Sequence, residues 1–427
     1  MHKDLAAQAV RDIHAIDGWS QLDGGQQATI LDGLIRCPKL EALVSEALAA
    51  NPDLQQTLFT LHIQQAEYKK TSGERLPEAE AGFTNSREEG LDPTYTGSIS
   101  IGWEVDLWRK LADESRAAEK DVAEQKALYQ SARDTLAAEV MKAWLELITT
   151  QKDIAIEKKR LAVLEKNETF ILERYKNGLR TLEDLDSART NTASSRASLE
   201  EYRENLAQQR RALNTLLGRE AGASITLPAD YPVVIIPLVD LPVQTLKRRP
   251  DLKAAYLAIE AQNLRARAAY KELLPSINME AAFEDVADTS GSALFTDPVW
   301  SLLAQLTAPL YQGGKLRAAA EVAELEAAKA YQAYRQTLLD AVREVEDAIG
   351  QERALKKRGK HIKTALVWAR NNHVQYREKY RAGLVGMLDI LDVQNQTYDL
   401  EQQLNNLIHE RLANRIDLGL ALGLGVK

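Results

Sequence analysis

SISIGWEVDLWRK, residues 98–110, alternates Ile99, Ile101, Trp103, Val105 and Leu107 with Ser98, Ser100, Gly102, Glu104 and Asp106. A period of two puts the apolar set on one face and the polar set on the other, which is a strand with a single apolar side. From residue 109 to 175 the period changes. Leu111, Ala118, Val122, Tyr129, Ala132, Leu136, Val140, Leu147, Ile154, Leu161, Leu164, Ile171 and Tyr175 follow spacings of three, four and seven, the pattern of a helix with a narrow coiled-coil seam. At 1.5 Å per residue such a helix is about 100 Å long. A compact domain has no place for it, so the fold turns on what a lone-faced strand is doing at its start.

An internal repeat supplies the context. Asn51-Pro-Asp-Leu54 recurs as Arg249-Pro-Asp-Leu252 and Leu76-Pro77 as Leu274-Pro275, both displaced by 198; Tyr175 and Gly178 recur as Tyr380 and Gly383, and Leu217-Gly218 as Leu422-Gly423, displaced by 205. One length difference between residues 77 and 110 accounts for both offsets. The strands obey the same offsets. Trp300, Leu302, Ala304, Leu306, Ala308 and Leu310 form an even-numbered apolar set, while Ala79, Ala81 and Phe83 and their counterparts Ile277, Met279, Ala281 and Phe283 stay odd.

The chain therefore divides into an N-terminal arm (1–40), a first repeat (41–218), a connector rich in proline and β-branched residues (219–245) and a second repeat (246–427). Each repeat reads as a helix, a β-hairpin (78–107; 276–311), a long helix (109–175; 314–380) and a return helix (180–217; 386–422). Asn51 and Pro52 suit an N-cap and first helical position, and Gly178 and Gly383 suit left-handed helix ends.

The bulk properties exclude several classes. With 427 residues, 45% hydrophobic, the chain can bury a large core, and a net charge of -8 gives no reason to expect nucleic acid as a partner. Cys37 stands alone, a plain thiol. No apolar run reaches the roughly 18–20 residues of a spanning helix, so a bilayer would have to be crossed by strands. The first 18 residues lack the apolar stretch of a signal peptide, as expected of a mature or truncated chain or of a protein that is not exported.

Two hairpins supply four strands, joined by the polar loops TNSREEGLDPTYT (84–96) and EDVADTSGSALFTDPV (284–299). Four strands cannot close a barrel, and open edges in lipid leave backbone groups unpaired at several kcal/mol each. Eight strands are too narrow for a watery lumen, so three copies and twelve strands are expected. Ile99, Ile101, Trp103, Val105, Leu306 and Leu310 then face lipid, Glu104 and Asp106 face the lumen, and Trp103, Trp108, Tyr95, Trp300 and Tyr311 sit near the interfaces.

Taken in order, Trp103-Glu-Val-Asp-Leu-Trp108, Arg249-Pro-Asp-Leu252, Ala308-Pro-Leu-Tyr-Gln-Gly-Gly314, Tyr175 and Gly178 with Asp184-Leu185, and Tyr380 and Gly383 with Asp389 and Asp392 resemble the TolC-type outer-membrane efflux proteins from about residue 40 onward. The resemblance implies a mainly helical fold: long α-helical hairpins forming a twelve-helix periplasmic tunnel per trimer, continuous with a shared twelve-stranded β-barrel in the outer membrane. It implies a passive exit duct of a tripartite efflux system for drugs or toxic small molecules, working with a periplasmic adaptor and an inner-membrane pump of the RND type.

By the same resemblance, Asp389, Asp392 and Asp184 constrict the periplasmic entrance, with Tyr380 hydrogen-bonding across to Asp184. The exposed turns Gly178, Leu179, Thr181, Gly383, Leu384 and Gly386 are where the adaptor docks. Val385 stands where some members carry a latching Arg, so the closed state would be held differently, with Arg180 as a candidate. The plain alternative is that these Asp residues solvate helix starts.

No catalytic constellation emerges, and neither a cofactor nor a metal is expected. His409-Glu410 lacks the second His of a zinc helix, Gln312-Gly-Gly-Lys315 lacks the phosphate-loop spacing, and the four Met are scattered. A type I secretion channel shares the fold. A non-channel coiled-coil scaffold is the reading from another class, disfavoured by the parity-matched strands.

Overall fold

The computed structural model describes residues 4–426 except 17, 23, 29, 91, 241, 291, 292 and 294–296. In chain order the elements are α1 (Leu5–His14), a 3-10 turn (Leu31–Leu34), α2 (Pro38–Ala50), α3 (Pro52–Gly73), β1 (Glu78–Ser86), β2 (Thr94–Glu104), α4 (Lys110–Lys176), α5 (Leu182–Leu216), α6 (Pro242–Arg248), α7 (Pro250–Lys271), β3 (Ser276–Ala287), β4 (Val299–Thr307), α8 (Lys315–Arg381) and α9 (Met387–Ala421). Repeat-related helices have equal lengths: 22 residues in α3 and α7, 67 in α4 and α8, 35 in α5 and α9. The chain forms two compact units, and each draws on both repeats.

One unit comprises Met1–Ile16, Thr57–Tyr129 and Pro250–Leu339. It holds an antiparallel sheet in the order β1-β2-β3-β4. Directly opposed residues share a face, and the register sets Ala81, Ile99, Phe83, Phe283 and Trp300 on the same side as Ile101, Ala281 and Leu302. That side is apolar from the helix-side end up to Phe83, Ile99, Phe283 and Trp300, with Trp300 74% and Leu306 68% exposed, and carries Asn85 and Asp285 at its loop end. The other side carries Glu80, Ser100, Glu104, Asn278 and Glu280, and lines a hollow of about 820 Å³. The outer strands β1 and β4 each have one neighbour only. At the helix-side end, the indole N–H of Trp103 donates to the Arg75 carbonyl (3.1 Å) and that of Trp108 to the Pro275 carbonyl (2.6 Å). Both rings thus have a satisfied polar edge beside an outward apolar body, as interfacial anchors require. In the same unit α1 is held by Tyr331, whose hydroxyl donates to Asp12 (2.8 Å), and by Tyr334, which donates to the Ala9 carbonyl (3.1 Å).

The strand does not pass directly into the helix. A five-residue joint follows Glu104, and in it Arg109 takes the left-handed conformation (φ 62°). Asp106 does not line the sheet's polar face: its carboxylate accepts from the Leu111 N–H (3.1 Å) and the Ala112 N–H (2.7 Å), filling the orphan donors of α4. Val105 falls just outside β2, and Leu310 three residues beyond the end of β4. Val105 is half-buried and its N–H donates to the Ile277 carbonyl (2.8 Å), while Leu310 is 95% exposed.

The other unit comprises Asp17–Gln56, Gln130–Arg249 and Asp340–Lys427. Its helices meet in the order α5, α4, α9, α8. Ser195 donates to Glu157, Asn405 to Asp153, and Arg411 to Glu352, linking neighbours in turn. The narrow seam expected for α4 widens here: Ala137, Val140, Met141, Trp144, Leu145, Leu147 and Ile148 are all buried. The reason is the surrounding chain. The N-terminal segment and the connector pair at Gln26–Pro237 and Ile35–Val234, and the Tyr231 hydroxyl donates to Thr149 of α4 (2.8 Å).

The helix expected from residue 51 is preceded by a second one, α2, and Asn51 serves both. Its Oδ1 accepts the Leu54 N–H (2.9 Å) as the N-cap of α3, and its Nδ2 donates to the Leu216 carbonyl (2.9 Å). Arg249, its repeat counterpart, donates to the Ala421 carbonyl (3.1 Å). Leu216 and Ala421 are themselves counterparts, so two different side chains close the same joint.

Candidate functional site

The candidate residues of the helical turns all lie in this second unit. Each turn is built by one left-handed glycine, Gly178 (φ 69°) and Gly383 (φ 74°), after which Leu179 N–H returns to the Arg174 carbonyl (2.8 Å) and Leu384 N–H to the Lys379 carbonyl (2.9 Å). These wide-ring bonds satisfy the last carbonyls of α4 and α8 and reverse the chain in five residues. Leu179 and Leu384 are left exposed at the two ends. Thr181 is exposed as well, and Gly386 half-exposed. Behind the first turn, Ile171, Leu185 and Ala188 bury one another.

The helix starts differ. Thr181 Oγ1 accepts the Asp184 N–H (3.1 Å) while Asp184 Oδ2 accepts the Thr181 N–H (3.1 Å) and hydroxyl (3.0 Å), a complete capping box. Those hydrogen bonds, with Arg180 at 3.7 Å, hold the Asp184 carboxyl below its usual range. In the second turn Gly386 has no side chain to offer, and only the return bond exists, from the Gly386 N–H to Asp389 Oδ2 (2.7 Å). Val385 takes the place of Arg180. Asp389 and Asp392 are both exposed on one face of α9, opposite the buried Ile390, Leu391 and Val393.

Thus Asp184 and Asp389 each serve a helix start, while Asp392 projects freely. Tyr380 is half-buried at the end of α8; the partners of Asp184 within the chain are Thr181 and Arg180, on its own turn. The pairings of α4 with α9 place both turns at the same end of the unit. Lys142 with Asp417, Asp153 with Asn405 and Arg160 with Asp399 advance along α4 as they retreat along α9.

Sequence reasoning missed a buried polar layer behind the turns. Asn405 donates to Asp153 (2.8 Å) and to the Thr149 carbonyl (3.0 Å), and its Oδ1 lies 2.9 Å from the Tyr231 hydroxyl, which it shares with Thr149. Burial pushes the Asp153 carboxyl up to about 6, against the opposing Asn405 hydrogen bond. Buried Glu352 receives both Arg411 (2.8 Å) and Arg415 (3.1 Å). Glu352 is the repeat counterpart of Leu147, a seam position where an apolar side chain is expected, and that irregularity is a signal the sequence offered; Asp153 and Asn405 gave none. The spacing Thr181-x-x-Asp184 at the start of α5 is that of a capping box.

Among the described residues, no group of His, Cys, Asp and Glu is arranged to hold a metal ion, and no helix is long and apolar enough to cross a membrane. The sheet is the element with an outward apolar face suited to lipid.

The family model for outer membrane efflux proteins matches residues 43–219 and 241–424, one segment per repeat. Outer membrane protein OprJ of Pseudomonas aeruginosa is 28% identical over 96% of this chain and 90% of its own length. Cation efflux system protein CusC of Escherichia coli K12 is 23% identical over 91% of this chain and 87% of its own. Among solved structures, a membrane protein from Pseudomonas aeruginosa superposes with a TM-score of 0.87 at 25% identity, covering 95% of this chain and 99% of that one. The open state of the Neisseria gonorrhoeae MtrE outer membrane channel shares the fold with a TM-score of 0.85 at 22% identity, over 96% and 94% of the two chains. With the family model spanning both repeats, the chain belongs to the outer membrane efflux protein family and is an outer-membrane channel of a tripartite efflux pump, with a periplasmic extension.

Proposed function

We propose that three copies of this chain share one twelve-stranded barrel and conduct small toxic molecules passively from the periplasm to the exterior. The observation that carries the reading is the four-stranded sheet: one face predominantly apolar, with Asn85 and Asp285 only at its loop end, the other predominantly acidic and polar, and both outer strands open. Pairing β4 of one copy with β1 of the next removes every edge, turns the apolar face to outer-membrane lipid and encloses the polar face around water. Family members form trimers and work with adaptors and pumps. For this chain we assign a periplasmic adaptor at Gly178, Leu179, Thr181, Gly383, Leu384 and Gly386, and an RND-type inner-membrane pump as the energy source.

At the helical turns, Asp389 and Asp392 form rings of three carboxylates each, joined by Asp184 and Tyr380, and constrict the entrance. Rings of like charge attract cations and hold the closed pore selective for them. Relatives named for different cargoes, such as the toluene efflux protein TtgF of Pseudomonas putida and the cation efflux protein CusC, support a duct whose cargo is chosen by the pump.

The test has two stages. Light scattering of the detergent-solubilised protein should give about three times 47.6 kDa of protein. Reconstituted channels should then show low, cation-selective conductance that rises in Asp389→Asn/Asp392→Asn. A trimer whose conductance and cation block are untouched by that pair would remove the entrance assignment and leave the channel standing.

A further inference from the structure

In the helical unit α4 and α9 are flanked on both sides, whereas α5 and α8 are the outer members of the row and expose the faces turned away from it. On α8 that face is Lys357, His361, Thr364 and Trp368, spaced four, three and four, opposite the buried Leu355, Gly359 and Leu366. Trp368 is 67% exposed, although a large apolar side chain gains about 1.5–3 kcal/mol from burial. On α5 the corresponding face is Thr190, Ser194, Ala197, Glu201 and Glu204, all exposed, opposite the buried Leu185, Thr192 and Leu199.

The two faces also match in level. Glu157 of α4 accepts from Ser195 of α5 and from Gln402 of α9. Five residues beyond Gln402, Leu407 packs close to Gly359, so antiparallel α8 reaches the level of Ser195 near Thr364. A second set of contacts, Gln209 with Glu146, Lys142 with Asp417, and Asn414 with the Ala348 carbonyl, gives the same register. Lys357 therefore stands level with Glu201 and Glu204, and Trp368 with Thr190 and Ser194. A closed ring of identical subunits has no net rise, so these levels carry over from one copy to the next.

We propose that α8 of one copy seats on α5 of the next, with Trp368 on the small side chains of Thr190, Ser194 and Ala197, and Lys357 beside Glu201 and Glu204. This inference rests on the trimer reading above and adds to it the residues and register of the helical seam. Charge and size both support it. Neither Lys357 nor Glu201 has an ion-pair partner within the chain among the described residues, while Glu204 is bonded to Arg211 of its own helix (2.6 Å). An indole needs small neighbours to lie close to a helix, and α5 offers Thr190, Ser194 and Ala197 at the level of Trp368.

The experiment uses the full chain with Cys37→Ser, so that introduced thiols are the only ones. Trp368→Cys with Ser194→Cys, mildly oxidised and run without reductant, should lose its monomer band to linked dimers and trimers. Trp368→Cys with Glu201→Cys, on the same faces but two turns apart in level, should stay monomeric on the gel. A trimer by light scattering in which the first pair fails to link, or links no better than the second, overturns the register while leaving the trimer intact. A monomer by mass removes the trimer reading itself, and the seam with it. Lys357→Glu should lower the temperature at which the trimer dissociates, and adding Glu201→Lys should restore it; no rescue would remove the ion pair from the seam.

Discussion

The two helical turns descend from one repeated plan and are built from unequal chemistry. Both use a glycine at φ near 70° and the same wide-ring bond. The first then closes with Thr181, Asp184 and Arg180 acting together; the second has Gly386 and Val385 in the matching places and a single bond to Asp389. The two turns keep the same backbone solution because glycine takes the left-handed helix end without the cost a Cβ brings. The side chains that fasten each turn were free to diverge, since a missing cap costs about 1 kcal/mol and does not unfold a helix of 35 residues. The difference teaches that the second turn is the less tightly fastened of the two and the easier to displace, on the same helix that carries Asp389 and Asp392.

The largest expected effect tests whether the halves are equivalent where the return helices end. Gly218 and Gly423 are both left-handed, but a Cβ on Gly218 would lie 2.4 Å from the Ala50 carbonyl oxygen, and one on Gly423 3.0 Å from Arg248 Cβ. Each substitution to Ala should cost about 1–2 kcal/mol for its conformation. Gly218→Ala should cost about 2 kcal/mol more from overpacking against backbone. Denaturant unfolding of the two variants decides this, and equal losses would mean that the joints relax alike.

A smaller effect addresses the turns themselves. Thr181→Ala should cost about 1 kcal/mol and speed amide exchange at the start of α5. Gly386→Thr should gain a few tenths of a kcal/mol by completing the second capping box, and slow exchange at the start of α9. If the second substitution changes nothing, something other than the cap limits that turn.

The smallest effect is its pH dependence. Because the Asp184 carboxyl is held below its ordinary range by Thr181 and, more weakly, Arg180, its contribution is complete above the unfolded value near 4. It is lost as pH falls through the lowered folded value. Exchange protection at residues 182–188 should therefore decline on acidification below about pH 4 in the native chain and much less in Asp184→Asn. Parallel decline in both would place the acid sensitivity elsewhere.

Much of the fold was legible without coordinates. Period-two and heptad patterns carry element type because burial on one side of a strand or helix imposes them, and the offsets of 198 and 205 reappear in helices of equal length. Less legible were the places where a polar group answers a backbone demand. Asp106 belongs to the alternating strand pattern, yet it turns to cap α4, because four unpaired N–H groups at a helix start outbid a wall position already open to water. Asp153, Asn405 and Glu352 were invisible as a layer, since their partners lie on other helices, 252 residues away for Asp153 and Asn405 and 59 to 63 for Glu352 with Arg411 and Arg415.

The sequence by itself determined the elements, their repeat, the left-handed glycines and the single apolar face of each strand, all of which are set by local sterics and by the period of burial. Tertiary structure alone decided which helix lies beside which, which carboxylates cap and which stay free, and that α5 and α8 are the helices left with an open side. Those outcomes depend on distances between residues far apart in the chain, and a one-dimensional pattern holds no record of them.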